Sequence, residues 1–210
     1  NSNSFFEENE SQTIERFLEN GYIIFPLEKS EALKEIRKKV YLWSLEILNL
    51  STSVEMDKFF DYTQNYININ DLNDFRMKLI EKIVGDNEFR ISIYSLSKLN
   101  LGWIVGNELA MQRNCNLSLQ LPGDNSSVLP LHTDVWSGNS PYEVVFWFSL
   151  VDCYRTKSVF ILPKKYSDEI FHNLKEYAHL STEELFQKIK DRLIWIEIPY
   201  GHGVIFSHIL

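Results

Sequence analysis

The residues of this chain best suited to chemistry lie in Leu129-Pro130-Leu131-His132-Thr133-Asp134-Val135-Trp136. Side chains of an extended segment alternate, so His132 and Asp134 point to one side and Leu131, Thr133 and Val135 to the other. A neutral imidazole and a carboxylate on the same side can grip one metal ion. They make up two-thirds of the 2-His-1-carboxylate facial triad, the ligand set that leaves positions open on non-haem Fe(II) for a co-substrate and O2. His-x-Asp is also common by chance, and its plain alternative is a surface turn with a solvated Asp and a half-buried His.

Other segments offer partners. In Asn116-Leu117-Ser118-Leu119-Gln120-Leu121 the polar residues share one face of an extended segment. Asn116, Ser118 and Gln120 either line the same cavity as His132 and Asp134, bonding a polar ligand, or form the wet face of an edge strand. Lys157 opens the otherwise apolar run Ser158-Val159-Phe160-Ile161-Leu162. Inside a barrel its ammonium needs an anion such as a bound dicarboxylate; at an exposed strand end it reaches water. Of the five histidines, His172 and His179 fall in a predicted helical insertion and face solvent. His202 and His208 lie in Gly201-His202-Gly203-Val204-Ile205-Phe206-Ser207-His208, a late strand of the kind that supplies a third metal ligand, which makes His208 a candidate. Trp136 either stacks on a substrate sugar ring at the mouth of the site or packs as an ordinary rim tryptophan.

The elements that must position these residues change character along the chain. Residues 1 to 11 are polar and acidic and read as a frayed end. Thr13 to Asn20 is a short amphipathic helix stopped at Asn20-Gly21, and Tyr22 to Phe25 a strand ended by Pro26. Leu33, Ile36, Val40, Trp43 and Ile47 mark a long helix from Ser30, its N-cap, to about Leu50. Further helices are predicted over about 72–84 and 88–97, while 99–111 is ambiguous. Then come predicted strands at 116–121, 128–134, 142–151, 157–162, 193–198 and 204–208. Only 167–192 is helical among them, with Ser181-Thr182-Glu183-Glu184 as a capping signal. Helices over about 12–111 followed by strands over about 114–210 suggest one α+β domain with a mainly β core. The architecture expected is a double-stranded β-helix, the jelly-roll or cupin-like form, buttressed by the N-terminal helices.

Composition narrows the function. A net charge of -8, from 29 acidic against 21 basic residues, argues against nucleic-acid binding, which needs a basic surface to neutralise phosphates. Cys115 and Cys153 lack the spacing of a metal site and are too few for a disulfide framework. No apolar stretch approaches the roughly 20 residues of a membrane helix, and no signal-peptide pattern opens the chain. A soluble cytoplasmic protein is expected, with a small-molecule partner and an oligomeric state left open.

Together these segments resemble the Fe(II)- and 2-oxoglutarate-dependent oxygenases, in particular the phytanoyl-CoA dioxygenase-like branch. Phe17 to Pro26 is similar to that branch's opening helix and strand. The block from Asn116 to Pro163, with Gln120-Leu121-Pro122-Gly123-Asp124, His132 to Gly138 and Leu150-Val151-Asp152-Cys153, resembles oxygenases of bacterial surface-carbohydrate gene clusters. The resemblance implies that His132 and Asp134 bind Fe(II) and that 2-oxoglutarate chelates the metal beside them, with Lys157, Gln120 and Asn116 as cofactor contacts. It implies oxidative decarboxylation to succinate and CO2 coupled to hydroxylation of an unactivated C–H bond by O2. The carboxylate of Asp134 favours hydroxylation, because related halogenases give up that carboxylate to make room for halide.

One departure bears on the third ligand. In the family, the Gly-x-x-Val-Ile-Phe-x-His pattern runs on to a second His followed by Gly, and that later His is the usual ligand. His208 matches the earlier position. Either it substitutes, or the ligand lies beyond residue 210 together with a downstream Arg that holds 2-oxoglutarate; the second is the expectation, and the chain reads as incomplete. Lys157 matches the lysine of the JmjC-type pattern, which does the same work as that Arg. The function expected is hydroxylation of a sugar or sugar-containing intermediate in surface-glycan biosynthesis. The alternatives are a non-catalytic jelly-roll carbohydrate-binding protein or an oxygenase relative lacking a complete metal site, and, less favoured, a Zn-dependent hydrolase.

Overall fold

The structure is a computed structural model that describes residues 5–125 and 129–209. It is a mixed α and β fold, about half helical, with small antiparallel sheets. The chain opens with α1 (Glu8–Asn20) and β1 (Tyr22–Pro26), then runs through α2 (Ser30–Leu48), α3 (Met56–Asp61), α4 (Leu72–Gly85), α5 (Asn87–Ser95) and α6 (Lys98–Val105). After a long irregular stretch come β2 (Val144–Phe148), β3 (Val159–Ile161), α7 (Lys164–His172), α8 (Leu174–Tyr177), α9 (Thr182–Ile189), β4 (Ile194–Ile196) and β5 (His202–Ser207).

Two compact units result. One takes in the sequence up to Pro26, Leu99–Leu109, and the sequence from Leu129 on; the other takes in Leu27–Lys98 and the segment that starts at Ala110. This division differs from the helical-then-strand boundary read at 111–114, because β1 is an integral strand of the sheet formed by the late strands.

In the helical unit, α2 buries Leu33, Ile36 and Val40 at the spacing of one helix face, and Trp43 packs against Phe89 of α5 with ring centroids 5.5 Å apart. Ser30 is the first residue of α2 and not its cap, since Lys29 holds the cap position without a side-chain bond. Asp86 is a true N-cap for α5, accepting from the backbone N–H groups of Glu88 and Phe89. The period-two pattern of 116–121 does not make a strand. Leu117 and Leu119 are half-buried, Leu121 is buried, and Asn116, Ser118 and Gln120 are exposed, so the alternation is real. The backbone is held by a side chain instead, with the Arg76 guanidinium donating to the Leu119 carbonyl. Arg76 also lies 3.7 Å from the Asp124 carboxylate, whose side chain is 1 % exposed.

In the sheet unit, α1 starts at Glu8, earlier than predicted, with Glu8 and Glu10 in its first turn, where carboxylates favour the helix dipole. Gly21 ends it in the left-handed conformation that glycine adopts freely, at φ 80°. The three-stranded sheet has the order β1-β5-β2, antiparallel throughout, and β3 pairs antiparallel with β4. Register places Tyr22, Phe206 and Val145 side by side, and likewise Ile24, Val204 and Trp147. Val204 packs with Ile161 of β3, Ile196 of β4 and Ile198, flanked by Tyr22, Trp147 and Phe206. Two small sheets therefore face each other across an apolar layer, although no closed barrel forms among the described residues. A second core, of Leu162, Ile170, Leu185 and Ile189, packs α7 and α9 together. The Ser181–Glu184 capping box opens α9 as the sequence predicts.

Candidate functional site

Of the strand predicted over 128–134, Val128 lies outside the described residues, and 129–133 is extended but unpaired. Asp134 opens a 3-10 turn, Asp134–Ser137, that closes on Gly138. The segment is anchored by Thr133, which is buried and whose hydroxyl donates to the His208 carbonyl. Ser167 of α7 donates to the next carbonyl, that of Ile209, at 2.8 Å. These two bonds fasten the residues just after β5 beside the His132–Asp134 segment.

Three of the residues read from the sequence come together there. His132 Nε2 lies 4.0 Å from Asp134 Oδ1, and His208 Nε2 lies 3.9 Å from Asp134 Oδ2. His132 Nδ1 is 2.8 Å from the Pro130 carbonyl, which can only accept, so Nδ1 carries a proton, and in the neutral ring Nε2 presents its lone pair toward Asp134. An imidazole lone pair and a carboxylate, two acceptors, thus face each other, an arrangement completed by a cation. A fourth group was not anticipated: Glu143 Oε2 lies 3.9 Å from His208 Nδ1. Nothing in the local sequence marks Glu143; only the pairing of β2 with β5 brings it there.

The donor types fit a 2-His-1-carboxylate set. The spacing is wider than in a loaded site, where ligands adjacent on one ion stand on the order of 3 Å apart. Consistent with this, no group of three or more His, Cys, Asp and Glu among the described residues is drawn together closely enough to hold a metal.

The remaining sequence candidates are not among these four groups. Lys157 belongs to a 3-10 turn, Arg155–Lys157, that precedes β3, so it does not start the strand as predicted. It is exposed, with Nζ 5.4 Å from the ring centroid of Tyr154. Asn116 and Gln120 sit on the exposed side of the extended segment of the helical unit. Trp136 is 48 % exposed and shares with His132 a cavity of ≈ 50 Å³ walled mainly by Leu131, Leu162, Ile170, Phe171 and Leu174. His202 lies at the other end of β5 from His208, its Nδ1 buried without a hydrogen-bond partner among the described residues.

No protein-family profile, curated protein or solved structure matches this chain. Among the described residues no helix is long and apolar enough to cross a membrane.

Proposed function

We propose that this chain is an Fe(II)- and 2-oxoglutarate-dependent oxygenase that hydroxylates a sugar or a sugar-containing small molecule in surface-glycan assembly. The observation that carries the reading is the convergence of His132 and His208, from distant parts of the sequence, on the single carboxylate of Asp134. The two facing antiparallel sheets support a jelly-roll framework behind it. In this reading His132, Asp134 and His208 hold Fe(II), which supplies the O2 chemistry when bound together with 2-oxoglutarate. Pro130 keeps the lone pair of His132 turned inward, and Thr133 holds His208 in place through its backbone. The sequence resemblance implies Lys157, in the turn before β3, as a candidate for the distal carboxylate of 2-oxoglutarate. The apolar cavity beside His132 is too small at ≈ 50 Å³ to enclose a sugar, and the Trp136 indole at its edge is available for stacking on a sugar ring.

The test is an anaerobic titration of the metal-free protein with Fe(II) and then 2-oxoglutarate. The weak visible charge-transfer band of the chelate is the expected result, followed by succinate release in a screen of sugars. Stoichiometric metal binding without that band overturns the 2-oxoglutarate reading. Absence of metal binding leaves the alternatives, a non-catalytic carbohydrate-binding protein or an oxygenase relative lacking a complete metal site.

A further inference from the structure

The two nitrogens of the His208 ring address different carboxylates. Nε2 faces Asp134, whereas Nδ1 faces Glu143 across the ring. The pairing of β2 with β5 explains the second neighbour. Val145 is opposite Phe206 and Val144 opposite Ser207, so one step further along the same ladder places Glu143 opposite His208, as cross-strand neighbours. His208 is buried, and its Nδ1 has no hydrogen-bond partner among the described residues. Leaving a buried ring nitrogen unmatched is costly, and the Glu143 carboxylate 3.9 Å away, on a side chain 58 % exposed, is able to match it.

A neutral imidazole carries one proton, and the hydrogen bond made by one nitrogen decides whether the other is a donor or an acceptor. His132 has this choice made for it by the Pro130 carbonyl. We propose that Glu143 makes the same choice for His208: its carboxylate accepts from Nδ1–H, leaving the Nε2 lone pair turned toward Asp134. Glu143 is then a positioning residue, the carboxylate that orients a metal-ligating histidine from behind. The inference rests on the metal-site reading for its purpose, but the orientation of the ring can be measured without any metal.

The experiment is a long-range proton–nitrogen NMR correlation on the 15N-labelled, metal-free chain at a pH where the rings are neutral, paired with a Zn(II) titration. In the wild type, His208 is expected with Nδ1 protonated and Nε2 bearing the lone pair. Glu143→Ala shifts the ring toward the Nε2–H form, and Glu143→Gln, whose amide oxygen still accepts, keeps the wild-type form. In the Zn(II) arm, Glu143→Ala weakens binding about 10- to 100-fold and Glu143→Gln restores most of it. A wild-type ring already in the Nε2–H form, or a ring unmoved by Glu143→Ala, overturns the inference. A ring that shifts in a protein with no affinity for Zn(II) sinks the metal-site reading while leaving the hold of Glu143 on His208 intact.

Discussion

The ion pairs of the helical unit and the histidine–carboxylate cluster of the sheet unit hold their charged groups differently. In the first, Lys39 closes on Asp86 and Arg37 on Asp57, each at 2.5 Å, and the buried carboxylate of Asp124 faces Arg76 at 3.7 Å. In the second, His132, Asp134, His208 and Glu143 stand 3.9 to 4.0 Å from their neighbours, beyond direct hydrogen bonding. The openness belongs to that cluster, because surface pairs of the same unit close normally, as Lys164 does on Asp168 at 2.5 Å. Groups that neutralise each other leave nothing for a third party. Acceptors held apart but facing one another retain their demand for one, and that difference supports the proposed cation site.

This contrast can be broken or sharpened by substitution. The largest effect is expected from Asp134→Ala, which should lower Fe(II) affinity by roughly 100-fold or more while leaving the thermal midpoint of the metal-free protein nearly unchanged. Undiminished iron retention in that variant would end the distinction between the two regions. Next comes Asp124→Ala, which removes the carboxylate facing Arg76 and leaves that guanidinium its bond to the Leu119 carbonyl; a loss of about 2 kcal/mol in urea unfolding is expected. A loss under half that size would show Arg76 to be satisfied without Asp124.

Asp86→Ala removes both an N-cap and the partner of Lys39, and about 1–2 kcal/mol is expected. Asp86 also carries a pH signature. The Lys39 ammonium, followed by the backbone N–H groups of Phe89 and Glu88, holds its carboxyl below the ordinary value despite partial burial. A folded-state value below the unfolded one means that this stabilisation is present above about pH 4 and is lost as the pH falls through the lowered value. Wild-type stability should therefore drop more steeply on acidification than that of Asp86→Asn; parallel curves would remove Asp86 from the account. The smallest effect is expected from Lys157→Ala, about tenfold weaker 2-oxoglutarate binding with unchanged Fe(II) affinity, read in the same anaerobic titration. Equal affinity in the variant would assign the distal carboxylate to another cation.

What could be read from the sequence was what is local. The face of α2, the capping box of α9 and the turn at Gly21 rest on spacings within a few residues, and the structure has each of them. Alternation at 116–121 separates the leucines from Asn116, Ser118 and Gln120 but leaves open which set faces inward; the leucines do. It could not say whether a strand partner exists, and here the Arg76 side chain takes the place of one. The same ambiguity affected His132 and Asp134, whose shared side survives in an unpaired segment held by Thr133. His208 was nominated from its late-strand pattern. Glu143 was invisible, since its position beside His208 depends on which strands pair and in what register. Helix α3 escaped for another reason: Met56–Asp61 is too short to display a period.

The pairing of Tyr22 with Phe206 has a consequence for the order of assembly. The core of the helical unit draws mostly on neighbours in sequence, so it can form quickly, whereas the central sheet must close a loop that spans nearly the whole described chain. His208 follows directly on β5, so it reaches Asp134 only after that closure. In refolding, amide protection should rise first in α2, α4 and α5 and last in β1 and β5, with the capacity to capture a cation arriving in the final phase.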